Sequence, residues 1–187
     1  MKKMVGLGDE ELSDSVMEIV KNRFPWLLAN LFTAILASAV IAQFATTIEA
    51  LVALAVLMPI VASMGGNAGT QAATVAVRAL ATRDLTNSNS LRVIYRETVV
   101  GFLNGCIFSI IMGSIGFIWF QNFYLGIILG LAMIVNMLTA ALSGILLPLG
   151  LTKAGIDPAL SSTVFLTTLT DIVGFFVFLG LASWFLL

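Results

Sequence analysis

Residues 59–81 read PIVASMGGNAGTQAATVAVRALA. The stretch lies inside a run without charge from Leu51 to Val77, 27 residues, more than the roughly 20 needed to cross a bilayer as a helix. Yet before its first charge at Arg78 it holds a proline, three glycines, Asn67, Gln71, Thr70 and Thr74. A helix facing lipid has no use for such residues. Small and amide-bearing side chains at membrane depth face another helix or a water-filled path. Pro59 lacks an N–H, so it frees a backbone carbonyl one turn earlier and bends the helix. Gly65, Gly66 and Gly69 let another backbone approach closely, while Asn67, Gln71 and Thr74 follow i, i+4, i+7 along one side.

The rest of the chain has the same character. Its 187 residues are 59% hydrophobic and 10% charged, and mean hydropathy is +1.06. That balance specifies an all-α integral membrane protein. With no His and a single Cys106, a Cys/His zinc site and an intrachain disulfide are excluded by inventory. No activated nucleophile and no carboxylate pair outside the charged N-terminal segment supports catalysis, so the chain is not expected to be an enzyme. Nor is a nucleic-acid partner expected.

Five spans are predicted, over 25–46, 51–77, 98–119, 125–147 and 158–184. Residues 1–24 form a polar N-terminal segment, with Ser13, Asp14 or Ser15 available to cap a short amphipathic helix over 16–23. Residues 25–187 form the membrane domain. Thr47–Ala50 reads as a tight turn and 91–97 as an amphipathic lead-in to the third span. Pro148 is expected to end the fourth span, and Asp157 to cap the fifth, with Pro158 in its first turn. Asn104 and Asn136, isolated in the third and fourth spans, read as interhelical hydrogen-bond formers. All nine basic residues fall on one side of this topology. The positive-inside rule makes that side cytoplasmic, with the N-terminus inside and the C-terminus outside. The chain is expected in the plasma membrane as a multi-pass protein.

Asp171 is the one carboxylate deep in a span. It lies 13 residues beyond Pro158, about 20 Å along a helix at 1.5 Å per residue. At that depth it must face protein, water or a cation. Thr163, Thr167, Thr170 and Gly174 fall on roughly its face, at spacings of four, three and four. Two polar stripes, on the second and fifth spans, are then the natural walls of a path. Their donors are carboxylate, amide, hydroxyl and backbone oxygen, a hard set suited to Mg²⁺, Ca²⁺ or Mn²⁺. One carboxylate does not balance a divalent ion. A two-fold dimer with its axis along the path supplies two.

The stretch 59–81, together with RFPWLLANL at 23–31, DPA at 157–159 and T-x-T-D-x-x-G-F at 168–175, resembles the MgtE-type magnesium channels and transporters. These motifs keep their order across nearly the whole chain. The resemblance implies a homodimer with a pore on the two-fold axis, lined by the second and fifth helices. It implies that Asp171 holds hydrated Mg²⁺ there, with Thr167 and Thr163 one and two turns earlier, and that Asp157 takes part in an inner Mg²⁺ site. Mn²⁺, Co²⁺ and Ca²⁺ are the expected competitors. Typical members carry an N-terminal domain, a pair of CBS domains and a connecting plug helix before the membrane part. Here only about 24 residues precede the first span, so the expectation is a chain without that gate, belonging with a cytosolic regulatory domain or subunit. An ion-coupled secondary transporter and a non-transporting scaffold are the alternatives.

Overall fold

The structure, a computed structural model, describes residues 15–86 and 88–186, with the backbone alone over 159–162. Six helices follow in order: α1 (Val16–Ala42), α2 (Ala45–Ala50), α3 (Ala53–Ala81), α4 (Ser90–Phe120), α5 (Phe123–Lys153) and α6 (Pro158–Phe185). All but α2 are long and apolar enough to cross a membrane, and no strand occurs among the described residues.

α5 is the axis of the bundle. It packs against α4, α3 and α6, while α3 also packs on α6, and α1 leans on α6. Position in the bundle follows from side-chain size. α5 carries small residues on several sides, so neighbours approach it from several sides. Ala132, Ala140, Gly126, Gly130 and Gly144 are all buried. The core they surround is built of Leu54, Leu57 and Val61 from α3, Leu125, Leu129 and Met133 from α5, and Phe178 and Leu179 from α6. The middle of α1 carries Leu27, Leu28, Leu31 and Phe32 facing outward, an apolar surface that hydrocarbon solvates as well as protein does.

The N-terminus of α1 is fixed by a capping box. Ser15 accepts from the Glu18 amide at 3.4 Å, and the Glu18 carboxylate accepts from the Ser15 amide at 3.0 Å. Ser13 and Asp14 lie outside the described residues. α1 then runs unbroken through Pro25, so the amphipathic turn and the first span are one helix. A proline costs one hydrogen bond and bends a helix without obliging it to stop. The same physics corrects the expectation at Pro148, and two others fall as well. Pro148 does not end the fourth span: it is buried within α5, which continues to Lys153. Residues 90–97 are likewise the first two turns of α4 rather than a separate lead-in. The expected turn at Thr47–Ala50 is the short helix α2, with Thr47 buried. Gln121, at φ 51°, reverses the chain between α4 and α5, and Asn122 caps α5 by accepting from the Leu125 amide at 3.1 Å.

Candidate functional site

α3 presents two unlike sides. One side buries Leu54, Leu57, Val61, Gly65, Gly69, Ala72, Ala73 and Ala76. The opposite side leaves Ser63, Asn67 and Thr70 exposed and Thr74 partly so. Its polar groups are ordered along the helix. Asn67 Nδ2 donates to Ser63 Oγ at 3.4 Å. Thr70 Oγ1 donates to the Gly66 carbonyl and Thr74 Oγ1 to the Thr70 carbonyl, both at 2.7 Å. A hydroxyl that spends its proton on its own helix turns its oxygen lone pairs outward. The row therefore offers acceptors, which is what the water shell of a cation requires.

α6 continues the arrangement. Thr163, Thr167, Thr168 and Asp171 are all half-buried. Thr167 Oγ1 donates to the Thr163 carbonyl at 3.0 Å and Thr168 Oγ1 to the Val164 carbonyl at 2.6 Å, so these hydroxyls too are acceptor-out. Among the described residues, nothing donates a hydrogen bond to the Asp171 carboxylate and no cation pairs with it.

The glycines bring the two rows side by side. A Cβ at Gly66 would meet only Thr167 Cγ2, at 3.8 Å, whereas one at Gly69 would lie 2.9 Å from Leu166 Cδ1 and Cδ2. Gly69 therefore fixes the α3–α6 distance, and Gly66 lies beside Thr167 at the edge of the seam. Gly65 packs against Asn136 of α5. Pro59 is exposed within α3, where its missing N–H leaves the Ala55 carbonyl without its usual helical donor.

Three of the residues that the sequence groups with these rows stand elsewhere. Thr170 is fully buried, its hydroxyl on the Leu166 and Thr167 carbonyls at 3.1 and 3.0 Å. Gly174 is buried between Asn136 and Val61. Thr170 falls just past the Thr163 edge of the stripe, whereas Gly174 is within it by angle but sits where α6 packs on Val61 of α3 and Asn136 of α5. Gln71 is exposed at the shoulder of α3, where it lines a cleft of about 220 Å³ against α4 with Glu97 and Asn104. In return, sequence reasoning missed Ser63, Thr70 and Thr168 as members of the rows. Their signal was available: Ser63 lies four residues before Asn67, and Thr168 three before Asp171. It also missed that the Glu97 side chain is only 14% exposed. Asp157 precedes α6, 14 residues from Asp171 and so about 21 Å away along the axis. The structure does not bring the two carboxylates together.

Two rows of outward-facing oxygens thus run along neighbouring faces of α3 and α6, with one carboxylate, Asp171, in the second row. The family model for MgtE, a divalent cation transporter, matches residues 58–181. This chain belongs to the MgtE family. The match covers most of α3, all of α4 and α5, and most of α6, and so includes every residue of both polar rows. Among curated relatives, the chain is similar to the magnesium transporter MgtE of Enterococcus faecalis, with 33% identity over 183 residues, 98% of this chain and 40% of the relative. The magnesium transporter MgtE of Bacillus subtilis is 32% identical over 164 residues, 88% of this chain and 36% of the relative. That of Thermus thermophilus is 35% identical over 161 residues, 86% of this chain and 35% of the relative. The chain thus spans two fifths or less of the length of these relatives. With five membrane-length helices, this family member is a multi-pass membrane protein.

Proposed function

We propose that the chain is the membrane part of a magnesium conduit, in which the channel between α3 and α6 is half of a pore completed by a second copy about a two-fold axis. One observation carries this reading. Asp171, a carboxylate at membrane depth, is partly exposed, lies one turn beyond Thr167 on α6 and has no protein partner among the described residues. An intramembrane carboxylate is costly unless an ion or water stabilises it. Two copies facing each other place two negative charges about one divalent ion, and a cyclic dimer is the commonest way to repeat a site. The donor set is hard oxygen throughout, which fits Mg²⁺ and leaves Mn²⁺, Co²⁺ and Ca²⁺ as competitors. Mg²⁺ keeps its waters reluctantly displaced, so Asp171, Thr167, Thr163 and Asn67 would bind the hydrated ion through that shell. Asp157, at the start of α6, would collect ions at the inner mouth. The end of the bundle carrying Arg78, Arg83, Arg92, Arg96 and Lys153 faces the cytoplasm in this reading. The longer relatives suggest that a regulatory portion works with this membrane part.

Reconstitution tests the proposal. Mg²⁺ entry into liposomes under an imposed potential, without any proton or sodium gradient, is expected for the wild type and is lost in Asp171→Asn. Retained flux in that variant would remove Asp171 from the path. Flux that appears only with a proton or sodium gradient would make the protein a coupled transporter instead.

A further inference from the structure

The side chain of Asn136 lies at the junction of α3, α5 and α6, 1% exposed. Its Nδ2 donates to the Val61 carbonyl of α3 at 2.7 Å. Its Oδ1 is buried and has no hydrogen-bond partner among the described residues. A glycine faces it from each of the other two helices. A Cβ at Gly65 of α3 would lie 2.8 Å from Asn136 Cγ, and a Cβ at Gly174 of α6 would lie 2.9 Å from Asn136 Nδ2. Neither helix could come this close to the amide with a larger residue.

This junction is placed with respect to the path. On α6, Asp171 stands between Thr167, which faces Gly66 of α3, and Gly174, which faces Asn136. On α3, Gly65 is two residues from Asn67, and Val61 two residues from Ser63. The amide therefore touches both helices of the path at the depth of the carboxylate, from the side away from the channel.

An apolar residue of the same shape would fill this space without stranding an acceptor. The Val61 carbonyl would keep its own helical partner, the Gly65 amide. Removing the amide therefore leaves nothing newly unpaired, while keeping it leaves Oδ1 unpaired, a cost in stability. Resting on the conduit reading above, we infer that Asn136 is a positioning residue: it sets the gap between α3 and α6 at Asp171, and thereby the size of hydrated ion that the path accepts. It touches no ion itself. Its hydrogen bond holds α3 by the backbone, where a change of side chain cannot loosen it, and the two glycines hold α6 and α3 at amide thickness.

The test uses the protein in liposomes, with Mg²⁺ and Co²⁺ influx measured separately and thermal unfolding followed in detergent. Asn136→Leu is expected to unfold no earlier than wild type. Its Mg²⁺ influx is expected to fall about tenfold, within the range by which residues outside a site modulate it, and the Mg²⁺/Co²⁺ ratio is expected to change. Unchanged influx and ratio in a folded Asn136→Leu overturn the inference while leaving the conduit standing, as does a lower unfolding temperature with the ratio intact. If that variant does not fold, Gly174→Ala decides, since it presses on the same amide from α6. An altered ratio supports the positioning role and an unaltered one rejects it. No flux through the wild type rejects the conduit and this inference together, and is told apart by the control without any substitution.

Discussion

Two helix pairs in this bundle use glycine heavily, and they come out differently. Between α4 and α5, Gly101, Gly105, Gly113, Gly126 and Gly130 bring backbones into direct contact. A Cβ at Gly126 would lie 2.6 Å from the Gly113 carbonyl oxygen, and one at Gly101 2.5 Å from Ala141 Cβ. Between α3 and α6, Gly69 makes a comparably close approach to Leu166, but Gly66 next to it has room for a methyl group before Thr167. The first seam has small residues on both sides and is flanked by grooves, of about 340 Å³ beside Gly113, Gly126 and Gly130 and about 220 Å³ beside Gly101. The second is closed on its inner edge alone, and its outer edge is lined by Ser63, Asn67, Thr70, Thr167 and Asp171. Glycine by itself sets a distance, and what stands beside it decides whether the seam is flanked by apolar surface or by a row of oxygens.

The contrast breaks most readily at the carboxylate. Asp171→Asn keeps the shape of the α3–α6 seam and removes the carboxylate charge. A unit charge about 5 Å from a divalent ion is worth several kcal/mol at an effective dielectric near 20, so Mg²⁺ influx is expected to fall about a hundredfold or more. Thermal unfolding is expected to stay the same or rise, because an intramembrane charge has gone. A drop in both would place Asp171 in the scaffold. In the α4–α5 seam the reverse is expected. Gly126→Ala drives a methyl group against a backbone oxygen, which costs about 1–3 kcal/mol of overpacking. The unfolding temperature falls, while influx per folded protein and the Mg²⁺/Co²⁺ ratio stay at wild-type values. An altered ratio in that variant would mean that the α4–α5 seam takes part in the path.

These two seams differ in how far they can be read from the sequence. The five spans are legible because each is a long apolar run, and the depth of Asp171 follows from counting turns after Pro158. The neighbourhood of Gly66 and Thr167 is legible only as a pair of stripes, since nothing in the chain says which sides of α3 and α6 meet. Thr170 shows the difficulty. It is polar, it lies next to Asp171 in sequence and within about 100° of it on the helix, and it is nevertheless fully buried. A buried threonine is inexpensive when its hydroxyl can bond to the preceding turn, as Thr170 does to Leu166, so polarity does not separate the channel side from the packed side. Ser63 was overlooked for the complementary reason: a small hydroxyl amid Ala and Met reads as filler until its neighbours are known. Prolines misled in one direction only. Pro25 and Pro148 suggest helix boundaries, but a chain with no water to take the freed groups does better to continue the helix and bend.

The finest division lies within the α3–α6 seam itself, where Gly66 and Thr70 belong to the channel while Gly65 and Gly69 belong to the contact. Gly66→Ala adds a methyl group that meets nothing closer than Thr167 Cγ2 at 3.8 Å. Replacing glycine by alanine inside a helix is worth up to about 1 kcal/mol, so the variant is expected to unfold at the same or a higher temperature. The methyl group takes space from the channel, and influx is expected to fall a few-fold; a stability loss instead would mean that Gly66 is a packing position like Gly69. Thr70→Val is the smallest of these changes. It keeps the volume on the exposed row and removes one outward oxygen whose proton is held by the Gly66 carbonyl. If the rows act by accepting from the waters of a passing ion, one acceptor among several is worth about 1 kcal/mol, and the Mg²⁺ concentration giving half-maximal influx rises by about fivefold or less. The matching change on the buried side, Thr170→Val, removes a hydroxyl that no ion could reach, so its half-maximal concentration is expected to stay where it is. Equal shifts in the two variants would show that the channel is not confined to the face described.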